Sequence, residues 1–138
     1  MTHLLDTNVI SELRKAPHKA HDRVIAWANR MDPHALFLSV ITIQELEIGV
    51  QLSERRDPAQ GRMLRQWMNH QVLPAFIHRI LPIDTAVAVQ SAKLHVPDPR
   101  PIRDGLIAAT ALVHGMTLVT RNVTDFAATG VRLLNPWD

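Results

Sequence analysis

Four acidic side chains are the residues of this sequence best suited to chemistry. Asp6 ends an apolar run that begins at Leu4, and Glu45 follows a second apolar run by a few residues. Asp104 and Asp125 lie near the starts of two predicted helices. In a parallel α/β fold, the loops at the carboxyl ends of the strands form the crevice where ligands bind. We therefore predict that all four acids meet at one edge of a sheet.

Acids brought together in this way need a positive counter-charge. Each pair of carboxylates at ~4 Å costs ~1 kcal/mol in water and ~4 kcal/mol at an effective dielectric near 20. No lysine is suitably placed near these acids in the sequence, so a divalent cation is the natural counter-charge. Oxygen ligands favour Mg²⁺ or Mn²⁺ over zinc, and the eight histidines form no HExxH or other zinc spacing.

A carboxylate cluster of this kind can bind one or two ions, orient a water and neutralise charge that develops on a phosphorane. The predicted reaction is phosphodiester hydrolysis. Asp6 and Asp104 are the expected direct ligands, Asp125 is a second-site or water-mediated ligand, and Glu45 is a ligand or the base that acts on water. Four short polar side chains could orient these carboxylates or a scissile phosphate. They are Thr7, Asn8, Thr120 and Asn122.

Each acid also has a purely structural explanation. Asp6 and Asp104 could be helix N-caps, and Asp125 could complement a helix dipole near a first turn. Thr42-x-x-Glu45 matches a capping box, in which Glu45 would bond the backbone of Thr42. Only the joint placement of the four acids favours a functional site.

The elements that must position these residues alternate between strand and helix. The predicted strands are the run after Leu4, then 35–41, 80–83, 117–120 and a last edge strand at 131–134. The predicted helices are 8–14, 22–31, one from Thr42 through Val50, 58–73, 85–95, 102–114 and a short one within 122–128. This order indicates an α/β fold of three layers, α/β/α, with a mainly parallel central sheet, in a single domain over residues 1–138.

Composition narrows the class of protein. The chain has no cysteine, which excludes thiolate metal sites and disulfides. Asp6 interrupts the apolar stretch at the N-terminus, and no run approaches membrane-spanning length, so we expect a cytoplasmic protein. The five glycines form no phosphate-cradling loop, which disfavours nucleotide-binding enzymes.

Charge is compatible with a nucleic-acid partner. The formal net charge is +2, but without the four candidate metal-binding acids nine acids would face fifteen lysines and arginines. Twelve of the fifteen are arginine, whose planar guanidinium suits bidentate phosphate contacts. A genome that prefers arginine codons would give the same composition, so charge supports this interpretation without establishing it.

Five segments together resemble the PIN-domain proteins, in particular the VapC-type toxin ribonucleases of type II toxin-antitoxin systems and their FitB-like group. The segments are LLDTNVISELRK, TIQELEIGV, DGLIAATALVHG, LVTRNVTDF and LLNPW. They span almost the whole chain, and their order is more specific than any single acid.

The resemblance implies an endoribonuclease that depends on Mg²⁺ or Mn²⁺ and cuts structured RNA such as tRNA or rRNA. It also implies a homodimer held by a cognate VapB-type antitoxin. The acids of the family fall on Asp6, Glu45, Asp104 and Asp125 of this sequence, with Thr120 and Asn122 as neighbours.

Two other functions remain open at this point. A haloacid-dehalogenase-like phosphatase uses an aspartate at the end of its first strand, but its motif needs DxD where this chain has Asp6-Thr7-Asn8. It also needs a late lysine, and only Lys93 lies beyond Lys19. The second alternative is a non-catalytic module of the same fold that binds RNA or protein.

Overall fold

The computed structural model describes residues Met1–Asp138 and contains one five-stranded sheet. The strand order is β3-β2-β1-β4-β5, and every neighbouring pair runs parallel, so the sheet is fully rather than mainly parallel. The strands are β1 (His3–Leu5), β2 (Leu36–Ser39), β3 (Ile80–Leu81), β4 (Thr117–Val119) and β5 (Leu133–Leu134). The last strand is at an edge, as predicted.

Eight helical segments surround the sheet. They are α1 (Thr7–Arg14), α2 (Asp22–Arg30), α3 (Val40–Arg56), α4 (Pro58–Trp67), α5 (Leu73–Ala75), α6 (Thr85–Leu94), α7 (Ile102–His114) and α8 (Val123–Phe126). None of them has the length and apolar character that a bilayer crossing requires.

The core lies on both faces of the sheet, which confirms the three-layer architecture. On one face Leu5 and Val119 pack with residues of α1 to α4, such as Val9 and Leu46. On the opposite face, the strand residues directly before Leu5 and Val119 pack against α7 and α8. This second cluster includes Leu4, Leu118, Ile107, Ala108 and Phe126. Neighbouring strand residues thus point to opposite faces, and both are apolar because helices cover both sides of a parallel sheet.

Several predicted boundaries were wrong for identifiable reasons. Strand β2 ends at Ser39 because the Ser39 hydroxyl accepts a hydrogen bond from the Ile41 N–H and caps α3, so Val40 and Ile41 are helical. This cap also excludes the predicted capping box at Thr42, which lies inside the helix. Strand β3 has only two residues. Its pairing stops before Pro82, which has no backbone N–H to donate.

The helix that begins at Pro58 does not end before Pro74. It continues through a π-helical turn over Met68–Val72 into α5, where Pro74 lies in the first turn. The π-helical turn shifts the hydrogen-bond pattern just before the proline, since the Leu73 N–H donates to the Met68 carbonyl five residues back, and Pro74 itself has no N–H to donate. The sequence rule that places a helix end before proline therefore fails at this junction.

The strand order creates a crevice beside β1. From β1 the chain continues toward β2 and β3 on one side, whereas β4 and β5 lie on the other side. The loops that follow β1 and β4 therefore diverge, which is the arrangement that forms ligand crevices in open α/β sheets. The Asp6 N–H donates to the Val119 carbonyl at 2.9 Å and joins the two strand ends at this position.

The packing of α3 against α4 gives a stability prediction. A Cβ added at Gly61 would lie 2.4 Å from the Glu54 Cα, so Gly61→Ala must push the two helices apart. We expect it to lower the free energy of unfolding by ~1–3 kcal/mol in urea denaturation, the usual cost of overpacking. Gly49→Ala in α3 is the matched control because nothing lies within 4 Å of its added Cβ. It should stabilise by ~0.5–1 kcal/mol, and equal effects of the two substitutions would contradict this view of the interface.

Candidate active site

Asp6 lies at the centre of the candidate site. Its side chain is only 6% exposed, and Asp6 is also the N-cap of α1, with its Oδ1 accepting from the Thr7 N–H at 2.8 Å. Its Oδ2 accepts from the Thr120 hydroxyl at 2.8 Å and from Asn8 Nδ2 at 3.3 Å. The capping interpretation and the functional one are therefore compatible, because these contacts use three of the roughly four lone-pair sites of a carboxylate and leave one on Oδ1.

Burial raises the pKa of Asp6 above its ordinary value. Hydrogen bonds from Thr120 and Thr7 oppose the rise, whereas the negative charges of Glu45 and Asp104 add to it. The three acids are thus close enough to repel one another, as the sequence predicted. Burial rather than mutual repulsion is nevertheless the largest cause of the shift.

Glu45 is held from two sides. Its Oε1 accepts a 2.6 Å hydrogen bond from the Thr7 hydroxyl, which also lies 3.3 Å from the Thr42 hydroxyl. Its Oε2 lies 3.3 Å from Nε of Arg103, in a partly exposed salt bridge. Glu45 therefore points across the crevice toward the start of α1 and does not bond the backbone of its own helix as a capping box requires.

Asp104 and Asp125 lie in the first turns of two helices in the second half of the chain. Asp104 lies in the first turn of α7, where burial, followed by the charges of Glu45 and Asp125, raises the pKa of its carboxyl group. Asp125 is exposed in the first turn of α8 and does not line the cleft around Asp6. Its influence on the pKa of Asp104 places it near the rim of the same acidic group.

The four polar neighbours named from the sequence form one hydrogen-bond network after β1 and β4. The fully buried Thr120 hydroxyl donates to Asp6 and accepts from the Asn122 N–H at 3.0 Å. Asn8 donates to Asp6 and lies within 3.4 Å of Thr120, and Thr7 joins Asp6 to Glu45. The network fixes the orientation of the Asp6 carboxylate.

These residues surround an open cleft of about 440 Å³. Asp6, Thr7, Asn8, Glu45, Asp104 and Asn122 all line it. Sequence reasoning missed five further lining residues: Ser11, Glu12, Lys15, Arg121 and Trp137. The first three could have been found, because positions 8, 11, 12 and 15 share one face of a helix that begins after Asp6.

The prediction that no lysine lies near the acids is wrong. α1 brings Lys15 to the cleft, where its Nζ lies 3.0 Å from Glu12 Oε1. Glu12 in turn accepts from the His21 N–H at 2.9 Å. Lys15 and Arg103 supply positive charge at the edges of the cleft. Neither of them forms a salt bridge with Asp6 or Asp104, whose pKa values remain raised.

The donors in the cleft fit a hard divalent cation by their chemistry. The acidic donors are all carboxylate oxygens, the ligands that Mg²⁺ and Mn²⁺ prefer. No three histidine, cysteine, aspartate or glutamate side chains are close enough to enclose an ion without rearrangement. A closed cage is not required, because Mg²⁺ usually keeps several waters and binds through one or two carboxylates.

The bond between Thr7 and Glu45 gives a testable consequence. Thr7→Val keeps the shape of the side chain but removes the donor to Glu45 Oε1. Loss of a partner that orients an active-site carboxylate typically costs about 10–100-fold in activity or metal affinity. We expect a loss of about tenfold in kcat/KM for the RNA cleavage that the resemblance implies, whereas Thr7→Ser retains the hydroxyl and should stay near the wild-type value. Equal activity of the valine and serine variants would show that the bond has no functional role.

Comparison with known proteins gives consistent matches. The PIN domain family matches residues 3–131. Toxin FitB of Neisseria gonorrhoeae is 40% identical, over 97% of this chain and 97% of the relative. VapC ribonuclease Y4jK of Sinorhizobium fredii is 38% identical, over 98% of this chain and 97% of the relative. The crystal structure of FitAcB from Neisseria gonorrhoeae superposes with a TM-score of 0.88 and 38% identity, covering 99% of each chain.

Proposed function

This chain belongs to the PIN-domain family, and from that premise we propose that it is a metal-dependent endoribonuclease toxin. Its reaction is the hydrolysis of RNA phosphodiester bonds with Mg²⁺ or Mn²⁺. A cognate VapB-type antitoxin neutralises it. The similarity to a named toxin and to a named VapC ribonuclease supports both parts of the proposal.

One observation carries the catalytic part. The buried Asp6 carboxylate stands at the carboxyl end of the central strand, in a cleft that it shares with Glu45 and Asp104. A carboxylate that needs only a structural cap could lie at the surface, as Asp57 and Asp84 do at other helix starts in this chain. Burial of Asp6 beside two more acids costs stability, and a bound cation would repay that cost.

In the proposed reaction Asp6 and Asp104 would hold the cation, and Asp125 would contribute from the rim through water. When bound, such a cation would supply Lewis-acid activation of water and positive charge beside the phosphate. Glu45, fixed by Thr7 and Arg103, is positioned to accept a proton from the attacking water. Thr120 and Asn8 hold the Asp6 carboxylate in place, and Asn122 lies beside them at the wall of the cleft.

Purified protein freed of its partner should cut single-stranded or looped RNA when Mg²⁺ or Mn²⁺ is supplied, and EDTA should stop the reaction. RNA that is bound but stays uncut with every divalent ion would support the non-catalytic module. Hydrolysis of small phosphate monoesters through a covalent aspartyl intermediate would support the phosphatase. Either of these results would contradict the endoribonuclease proposal.

The toxin part of the proposal concerns partners. We expect a cytoplasmic homodimer that acts on tRNA or rRNA and is blocked by its antitoxin. Expression of the chain should stop growth only when the antitoxin is not expressed with it. Growth that is equally normal with and without the antitoxin would contradict the toxin function while leaving the nuclease activity open to direct assay.

A further inference from the structure

We propose that the Trp137 ring at the wall of the acidic cleft is a platform on which the base next to the scissile phosphate stacks, and that Arg121, which lies over this ring, binds a phosphate of the same strand. The proposal rests on the RNA-cleaving function proposed above and adds the substrate-positioning residues that function needs. It assigns a role to two residues that the acidic chemistry of the cleft does not use.

Trp137 is unlike every other residue of the cleft. Of the eleven residues that line it, one is hydrophobic, and that residue is Trp137. Its indole is half-buried and packs against the apolar cluster around Leu5 and Val119. Its backbone N–H donates to Asn135 Oδ1 at 2.9 Å, which fixes the C-terminal turn. The cleft therefore contains a rigid aromatic surface beside carboxylates that favour a polar ligand.

Arg121 lies directly over this ring. Its Cζ is 5.4 Å from the centroid of the indole, within the range of a cation–π contact. The guanidinium contacts the ring and forms no salt bridge or hydrogen bond. Its charge acts on Glu12 of the same cleft, whose pKa is lowered chiefly by Lys15 and to a smaller extent by Arg121. An exposed contact of this kind is weak. The guanidinium can therefore leave the ring when a better partner arrives.

The platform is tied to the catalytic carboxylate. The backbone N–H of Arg121 donates to Asn8 Oδ1 at 3.3 Å, and Asn8 Nδ2 donates to Asp6 Oδ2 at 3.3 Å. Two hydrogen bonds through one side chain thus set the position of the residue 121 backbone relative to Asp6. Trp137 is placed independently, by packing on the apolar cluster that includes Leu5, the residue before Asp6. A base stacked on Trp137 is therefore held near the reacting phosphate, which is how positioning contributes to rate.

The chemistry of RNA matches this pair of side chains. A nucleobase has a flat π-face that stacks on an aromatic ring, and phosphate binds guanidinium in a bidentate manner. An incoming base takes the place of the guanidinium on the ring, and Arg121 then turns to the phosphate of the same strand. Because a base inside a duplex is already stacked, the platform selects single-stranded or looped RNA. Because every base has a π-face, it imposes little sequence preference.

Trp137 could instead serve only to anchor the C-terminus, and the chain offers a control for that alternative. Arg14 lies over the ring of Trp67, with its Cζ 5.9 Å from the centroid, and Trp67 also packs against the same apolar cluster. This second Arg–Trp pair lines an apolar groove away from the acids. Trp137→Leu and Trp67→Leu each keep an apolar side chain, lose similar packing against the same cluster and lose the π-face, but only the former removes the π-face from the cleft.

The experiment compares intact RNA with oligonucleotides that carry one stable abasic nucleotide at successive positions around the cleaved bond. Wild-type protein and Trp67→Leu should lose about tenfold or more in kcat/KM at one abasic position. On intact RNA, Trp137→Leu should be about tenfold less active than wild type, and on the RNA that is abasic at that position the two proteins should be equally active. The platform would be overturned if Trp137→Leu were less active than wild type by the same factor on both RNAs, or if it matched wild type on intact RNA.

A second variant covers the possibility that Trp137→Leu folds poorly. Arg121→Met leaves the ring and its packing in place, and Arg121 is exposed, so folding is not at risk. It should weaken binding of an intact oligonucleotide, measured by fluorescence anisotropy in EDTA, and make the affinity less dependent on salt by about one phosphate contact. An unchanged affinity and salt slope would overturn the role of Arg121. Wild-type protein that binds RNA in EDTA but does not cut it with Mg²⁺ or Mn²⁺ would contradict the proposed function. The affinity and the salt dependence measured for Arg121→Met in EDTA would still test the role of Arg121 in RNA binding.

Discussion

Asp6→Asn should lower kcat for RNA cleavage by about 10³-fold, because the substitution removes the charge of the most deeply buried acid in the cleft. The amide keeps the size of the carboxylate and can still accept the Thr7 N–H that caps α1. We therefore expect a folded, inactive protein. The measurement is single-turnover cleavage of an end-labelled RNA with Mn²⁺, together with circular dichroism of each variant.

Asp84→Asn is the matched control for that measurement. Asp84 is also an aspartate N-cap, since its Oδ1 accepts from the Val87 N–H at 2.9 Å at the start of α6, but it lies outside the cleft. The control should cleave RNA like the wild type. Unchanged cleavage by Asp6→Asn would move the active site elsewhere, and equal losses in both variants would indicate a capping defect rather than lost chemistry.

The raised pKa of Asp6 adds a stability prediction with a definite sign. The folded state holds this proton more tightly than the unfolded state, so the neutral carboxyl group contributes to the free energy of unfolding. That contribution is fully present below the ordinary aspartate pKa of about 3.9. It is lost as pH rises through the raised pKa of Asp6 in the folded state. Metal-free Asp6→Asn should therefore be at least as stable as wild type at neutral pH. The advantage should vanish below about pH 4. A variant clearly less stable than wild type at pH 7 in EDTA would contradict the burial argument.

Asp104→Asn should lower kcat/KM for RNA by about 10²-fold, less than Asp6→Asn because Asp104 is less buried. Its charge helps to raise the pKa of Asp6, so its removal should lower the pKa of Asp6. The acidic limb of the rate–pH profile should consequently move to lower pH even though the maximum rate falls. A profile measured from about pH 4 to 8 with Mn²⁺ tests both effects.

Asp125→Asn is the comparison variant for Asp104. Asp125 is exposed and contributes through the pKa of Asp104 rather than through a direct contact with Asp6. We expect a loss of about tenfold, as for a group that acts through water. A loss larger than that of Asp104→Asn would exchange the proposed roles of the two acids.

Much of the site could be predicted because it depends on features that are local in sequence. An apolar run that ends in an acid, such as Leu4 to Asp6, marks the carboxyl end of a strand in an α/β fold. Gly115 likewise marks the end of α7, where it adopts a left-handed conformation with φ 66°. These signals located Asp6 and Asp104 on elements that the structure brings to the same cleft.

Features decided by tertiary packing could not be predicted. The cap of α3 is Ser39 rather than Thr42. The sequence could not show this, because the apolar residues Val40 and Ile41 fit the end of a strand and the first turn of a helix equally well. Trp137 reaches the cleft only because the C-terminal turn after β5 folds back beside Asp6. Linear distance along the chain carries no information about this approach of Trp137 to Asp6.

Calorimetric titration of Mn²⁺ into intact, partner-free protein measures whether the acidic cleft binds a divalent cation. Wild-type protein should take up the ion near neutral pH, and uptake should weaken as pH falls, because protons compete for Asp6 and Asp104, whose pKa values are raised. Asp6→Asn should take up little or none under the same conditions. Absence of uptake by the wild-type protein, or equal uptake by Asp6→Asn, would contradict the assignment of this acidic cleft as a metal-dependent nuclease site.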